Sequence, residues 1–218
     1  MTRVKVCGLT TERDHAAAVA AGADAVGIIA DVPVETPREV SVETATALRA
    51  ATPPFVTSVL VTMPATPEHA VDLVRTVAPD AVQLHGDLPV GDAAYVAANT
   101  PCPVIKAVTA GDQSAARYAD VVDALLVDSP PTDDAGAGGG TGRTHDWAAT
   151  RAFADRVDTP VVLAGGLTPA NVADAVDTVD PFAVDVASGV EARPGEKDHA
   201  AVSAFVARAT ATPDPTLT

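Results

Sequence analysis

A single (β/α)8 barrel is the fold this sequence predicts, and three observations predict it. Eight short apolar runs recur along the 218 residues. Helix-like stretches separate most of them, which implies parallel strands joined by crossovers. Ionisable and polar residues interrupt the runs near their carboxyl ends, where barrel enzymes place their sites. A doubly wound open sheet is the alternative architecture.

The runs are "VKVCG" (4–8), "DAVGII" (24–29), "FVTSVLV" (55–61), "AVQLHG" (81–86), "PVIKAV" (103–108), "ALLVDS" (124–129), "VVLAGG" (161–166) and "FAVDVASG" (182–189). They are rich in Val, Ile and Leu and bounded by Gly, Pro and Asp, a composition that favours strands. Helices are expected over "TERDHAAAVAAG" (11–22), "SVETATALRAA" (41–51), "TPEHAVDLVRTV" (66–77), "TPANVADAVDTV" (168–179) and about 198–209. Ser41 and Thr66 suit N-caps, and Pro67 and Pro169 suit the first helical position. The barrel is assigned to 1–209 and a loose tail to 210–218. "SPPTDDAGAGGGTG" (129–142) reads as an active-site loop after strand six.

The charge balance narrows the possible partners. The chain carries 29 acidic and 14 basic residues, a formal net charge of −15, and its lysines are Lys5, Lys106 and Lys197. Such a surface repels nucleic acid and anionic membrane. Because 47% of the residues are hydrophobic, the acidity does not signal disorder. An acidic, lysine-poor, Ala- and Thr-rich chain resembles the proteins of salt-in halophiles. No apolar run reaches membrane-spanning length, and no export signal is read. Cys7 and Cys102 make no disulfide framework, which points to a reducing cytoplasm.

Side chains alternate faces along a strand. Val4 and Val6 therefore share one face, and Lys5 and Cys7 the other. Gln83 and His85 share a face, Asp128 ends its run, and Asp185 splits Val184 from Val186. The expectation is that Lys5, Cys7, Gln83, His85, Lys106, Asp128 and Asp185 all point into the barrel. A structural Lys–Asp pair or a core histidine would explain one residue, but burying so many polar groups is costly without function. Glycine turns after the last strands form a second feature. "AGGL" (164–167) and "SGVE" (188–191), with "GGGTGR" (138–143) after strand six, suit a phosphate site of backbone N–H groups. This places Gly140, Thr141, Gly142, Gly165, Gly166, Ser188 and Gly189 at a phosphate.

In order and spacing, "RVKVCGLT", "GADAVG", "AVQLHG", "VIKAV", "LLVDS", "GGTGRTHDW", "LAGGLTPANV" and "PFAVDVASGVE" followed by "PGEKDH" resemble the phosphoribosylanthranilate isomerase family of tryptophan biosynthesis. The resemblance implies an Amadori rearrangement of N-(5-phosphoribosyl)anthranilate to 1-(2-carboxyphenylamino)-1-deoxyribulose 5-phosphate. It implies Cys7 as general base and Asp128 as general acid. It places Arg38 at the anthranilate carboxylate, although "ADVPVETPREVS" (30–41) departs from the family there. Gln83, His85, Lys5 and Asp185 are the remaining candidate substrate contacts. Lys5 is expected to favour the Cys7 thiolate, and Asp185 either to raise the Asp128 pKa or to touch substrate. No metal or organic cofactor is implied. The alternatives are a sugar-phosphate isomerase of histidine biosynthesis and a non-catalytic phosphate-binding barrel. A monomer is expected, with a homodimer as the alternative.

Overall fold

The structure is a computed structural model, and it describes residues 1–112, 114–129 and 146–211. Eight parallel strands close on themselves: β1 (Arg3–Cys7), β2 (Ala25–Ile29), β3 (Thr57–Thr62), β4 (Ala81–Leu84), β5 (Val104–Thr109), β6 (Ala124–Asp128), β7 (Val161–Leu163) and β8 (Ala183–Val186). β1 pairs with both β2 and β8, so the sheet has no edge and the open-sheet alternative falls. Around it lie α1 (Glu12–Ala20), α2 (Val42–Ala51), α3 (Pro67–Val77), α4 (Val90–Asn99), α5 (Trp147–Ala154), α6 (Val172–Val179) and α7 (His199–Ala209). No described helix is long and apolar enough to cross a membrane.

Local chemistry sets the helix starts. The Ser41 hydroxyl accepts from the Thr44 N–H and the Thr66 hydroxyl from the His69 N–H, with Pro67 leading α3 as expected. Pro169 does not lead α6. Asn171 accepts from the Thr168 N–H and donates to the Gly166 carbonyl, which holds the chain in a turn until Val172. The β5–β6 crossover carries a 3-10 turn, Ala115–Tyr118, in place of a full helix. Gly111 turns the chain at φ 86°, and the Asp112 carboxylate takes both the N–H and hydroxyl of Ser114. Little chain then remains before β6.

At the amino end of the barrel one device recurs three times. Asp24, Asp80 and Asp123 each immediately precede a strand, and each carboxylate accepts a backbone N–H from the first or second residue of the previous strand: Val4, Ser58 and Val104. Each Asp N–H in turn donates to the carbonyl of that same residue. The three ties latch β1 to β2, β3 to β4 and β5 to β6.

The strand faces divide the core. Val4, Val6, Val184 and Val186 pack outward on α7 residues Val202 and Phe205. Ala107, Leu126, Val162 and Ala183 fill the interior, as do Cys7, Val59, Val61 and Ala81. Lys106 is on the outer parity, which corrects the expectation that it points inward. Parallel register sets it opposite Leu84 and Leu125, both on the helix-facing side, while Ile105 stands opposite Gln83. Its stem runs up the outer face, and its ammonium donates to the carbonyls of Gly86 (2.8 Å) and Ala107 (2.6 Å) at the rim.

After β8 the chain makes a feature that strand periodicity did not foretell. A 3-10 turn, Ser188–Val190, leads to an antiparallel hairpin of β9 (Glu191–Arg193) and β10 (Glu196–Lys197). Gly195 turns it at φ 81°, where a Cβ would stand 2.4 Å from the Pro37 carbonyl oxygen. The Thr10 hydroxyl donates to the Gly195 carbonyl at 2.8 Å. The hairpin is thereby fastened to the loops after β1 and β2.

Candidate active site

Strand ends deliver most of the site. Cys7 closes β1, Gln83 lies in β4 with His85 just beyond it, Asp128 closes β6, and Asp185 lies in β8. With Arg38 and Met63 they line one cavity at the carboxyl end of the barrel. Lys5 is one layer deeper, where its ammonium meets Asp185 Oδ1 at 2.8 Å. The register explains the meeting, since Lys5 and Asp185 are direct partners across β1 and β8. Asp185 thus binds Lys5 and faces the cavity as well.

Cys7 has room because its partner in β2 is Gly27. A Cβ at Gly27 would come within 2.7 Å of Cys7 Sγ. Burial pushes the Cys7 thiol above its ordinary pKa, while Lys5 and then Lys197 pull it down and Asp185 pushes it up. The expected help from Lys5 is present in sign, but burial outweighs it, so the resting residue is a neutral thiol. Lys5 stays charged: burial works against it, yet Asp185 holds its pKa above the usual lysine range. Asp128 rises to about 6, mainly through burial and further through the nearby Asp185 charge, with the Ser129 N–H at 2.8 Å opposing. His85 is kept neutral by burial and by the cations Lys106 and Lys5.

Gln83 offers an unused acceptor. It is 3% exposed, and its Oε1 meets no hydrogen-bond donor among the described residues. A buried amide oxygen left so is costly unless a ligand completes it. Arg38 is held rather than solvated. Its Nε and Nη2 donate to the two carboxylate oxygens of Glu191 at 2.8 Å each.

The glycine turn after β7 stacks on the end of β6, and the turn after β8 stacks on the loop after β7. Gly165 and Gly166 have φ of 87° and 65°. A Cβ on Gly165 would sit 2.8 Å from Asp128 Oδ1 and 2.5 Å from the Ser129 nitrogen, so glycine there lets the turn lie against the acid. Gly189 follows Ser188 at the start of the 3-10 turn, and a Cβ on it would strike the Leu167 carbonyl at 1.8 Å. Gly140, Thr141 and Gly142, with most of the loop 129–142, lie outside the described residues.

Three residues of this region escaped the sequence reading. Gly27 was legible only as part of a strand. Its inward parity beside Cys7 was the available signal. Glu191 and Lys197 lay in the quoted "SGVE" and "PGEKDH" segments, where only Ser188 and Gly189 were given a role. What unites them is a hairpin that no local period announces.

The arrangement sets a thiol and a carboxylic acid, both able to move protons, on one cavity that an arginine also lines. Comparison with known proteins identifies the family. The sequence model of the family described as N-(5'phosphoribosyl)anthranilate (PRA) isomerase matches residues 4–208. The N-(5'-phosphoribosyl)anthranilate isomerase of Haloferax volcanii, a halophilic archaeon, is 60% identical over 210 residues, covering 96% of this chain and 93% of that one. The crystal structure of phosphoribosyl anthranilate isomerase from Thermotoga maritima superposes with a TM-score of 0.85 at 39% identity, covering 96% of this chain and 98% of that one. A phosphoribosyl anthranilate isomerase in complex with reduced 1-(o-carboxyphenylamino)-1-deoxyribulose 5-phosphate gives 0.82 at 38% identity, with the same coverage. With nearly its whole length matched in this way, the chain belongs to the N-(5'-phosphoribosyl)anthranilate isomerase family.

Proposed function

We propose that Cys7 and Asp128 carry the Amadori rearrangement of N-(5-phosphoribosyl)anthranilate as base and acid. The observation that carries this reading is a carboxylic acid with pKa near 6 and a thiol facing one cavity from β6 and β1. Asp128 gives its proton to the furanose ring oxygen. The C1′–O bond breaks as the anilino nitrogen lone pair forms a C1′=N bond. The Cys7 thiolate then takes the proton from C2′. The C2′–H electrons become a C1′=C2′ bond and neutralise the nitrogen. Protonation of the resulting enolamine at C1′, with loss of the O2′ proton, gives the ketone. Enolisation beside a Schiff base needs no cofactor.

The substrate's two anionic ends define its pose. The phosphate is assigned to the turns at Gly165, Gly166, Ser188 and Gly189, completed by Gly140, Thr141 and Gly142. The anthranilate carboxylate is assigned to Arg38. Gln83 Oε1 accepts from a substrate N–H or hydroxyl, and neutral His85 and Asp185 border the ribose. Lys5 acts through charge, from beneath Cys7. A turnover assay with freshly generated substrate in molar KCl tests the reading through loss of anthranilate fluorescence. Binding without turnover would support the non-catalytic barrel instead. Turnover of the histidine-pathway aminoaldose alone would support the sister isomerase.

A further inference from the structure

The β9–β10 hairpin has no part in the steps above, yet it sends two buried charges to the site. The side chains of Glu191 and Lys197 are 5% and 0% exposed. Glu191 Oε1 accepts from Arg38 Nε and also from Lys197 Nζ at 3.0 Å, while Oε2 accepts from Arg38 Nη2. Lys197 donates as well to the Ala187 carbonyl at 2.9 Å. One carboxylate therefore serves two cations, which leaves the cluster with a net positive charge. A self-contained structural ion pair would be neutral. The surplus lies beside the cavity, because Arg38 is one of its lining residues.

The guanidinium is also fixed in direction. Its Nε–Nη2 edge is taken, and among the described residues nothing accepts from Nη1. Its stem lies on Gly8, where a Cβ would come within 2.9 Å of Arg38 Cδ. On a surface of net charge −15 an unheld arginine has many competing carboxylates.

We propose that Glu191 is a positioning residue which, itself anchored by Lys197, grips one edge of Arg38 and presents the Nη1–Nη2 end to the substrate's carboxylate. The inference rests on the proposed role of Arg38 as carboxylate clamp. Burial alone would raise the Glu191 pKa, but Arg38 and Lys197 hold it below the ordinary glutamate value, so the grip is ionic at neutral pH.

A double-mutant cycle in about 2 M KCl tests it. Arg38→Ala is expected to raise KM by roughly 10- to 150-fold, the worth of charge-assisted hydrogen bonds. Glu191→Gln should raise KM about fivefold or more while kcat stays within about threefold. In the Arg38→Ala background the same change should move KM by less than about twofold. An equal effect of Glu191→Gln in both backgrounds would mean general structural damage and overturn the proposal. So would an unchanged KM for Glu191→Gln beside a raised one for Arg38→Ala, a result that leaves the clamp standing. If Arg38→Ala leaves KM unchanged, the clamp itself is lost and the positioning role with it. Glu191→Gln also strands Lys197 as a buried cation. The charge-balanced pair Glu191→Gln with Lys197→Met, checked by circular dichroism, is therefore expected to show the same dependence on Arg38, and independence of it refutes the proposal.

Discussion

Asp128 and Cys7 rest in the protonation states opposite to those their proposed roles as acid and base require. Asp128 ionises near pH 6, below the raised thiol, so between the two values the common form is carboxylate with thiol. The working form, carboxylic acid with thiolate, holds the same number of protons and is a constant minor fraction over that interval. The expected kcat/KM profile rises through about pH 6, stays flat, and falls only above the ordinary thiol range. A fall beginning near pH 6 would contradict this pairing. Cys7→Ala and Asp128→Asn should each lower kcat by at least about 100-fold, and near wild-type kcat in Cys7→Ala removes the base assignment. Asp128 also costs stability. An unfolded aspartate titrates near 3.9 and this one near 6. The folded state is therefore favoured most below pH ~4, and that advantage is lost as pH rises through 6. Asp128→Asn, which can still accept from the Ser129 N–H, should stabilise the fold by about 1 to 2 kcal/mol at pH 7.5, a value reduced for partial exposure. Melting curves at pH 7.5 and about 4 check this, since the gain should vanish at the lower pH.

Among the elements, the latches at the amino end and the turns at the carboxyl end do separate work. Asp24, Asp80 and Asp123 tie strands in pairs at the end remote from the cavity. Each Asp→Ala change removes a charge-assisted bond to an N–H in the first or second residue of a strand and should cost about 1 to 3 kcal/mol. The cavity is untouched, so kcat and KM should stay within about twofold; a tenfold loss of kcat in a folded Asp24→Ala protein would refute the division. At the other end, the position of Asp128 depends on a glycine two elements further along the chain, beyond α5 and β7. The close approach of Gly165 is possible only without a side chain.

The net charge of −15 acts on the whole molecule. At low ionic strength the carboxylates repel one another across the surface, and at molar salt the screening length falls to about 3 Å. The melting temperature is therefore expected to rise substantially between about 0.1 M and 2 M KCl, followed by circular dichroism. Equal melting temperatures would sink this reading of the composition. The buried Lys5–Asp185 pair lies beyond such screening.

Strand count, strand order and the placement of Cys7, Asp128, Gln83, His85 and Asp185 on one cavity were legible because a β-strand repeats every two residues and a polar residue at its carboxyl end breaks an apolar run visibly. Barrel closure followed from eight such runs with crossovers. Tertiary structure alone decided what depends on register or on contacts between distant loops. Lys106 faces the helices because its partners Leu84 and Leu125 do, and parity within "VIKAV" cannot say which of its two faces is the interior. The thiol rests neutral because burial, which no sequence spacing reports, exceeds the pull of Lys5 and Lys197. Arg38 and Glu191 stand 153 positions apart, and only the fold brings their charges within 2.8 Å.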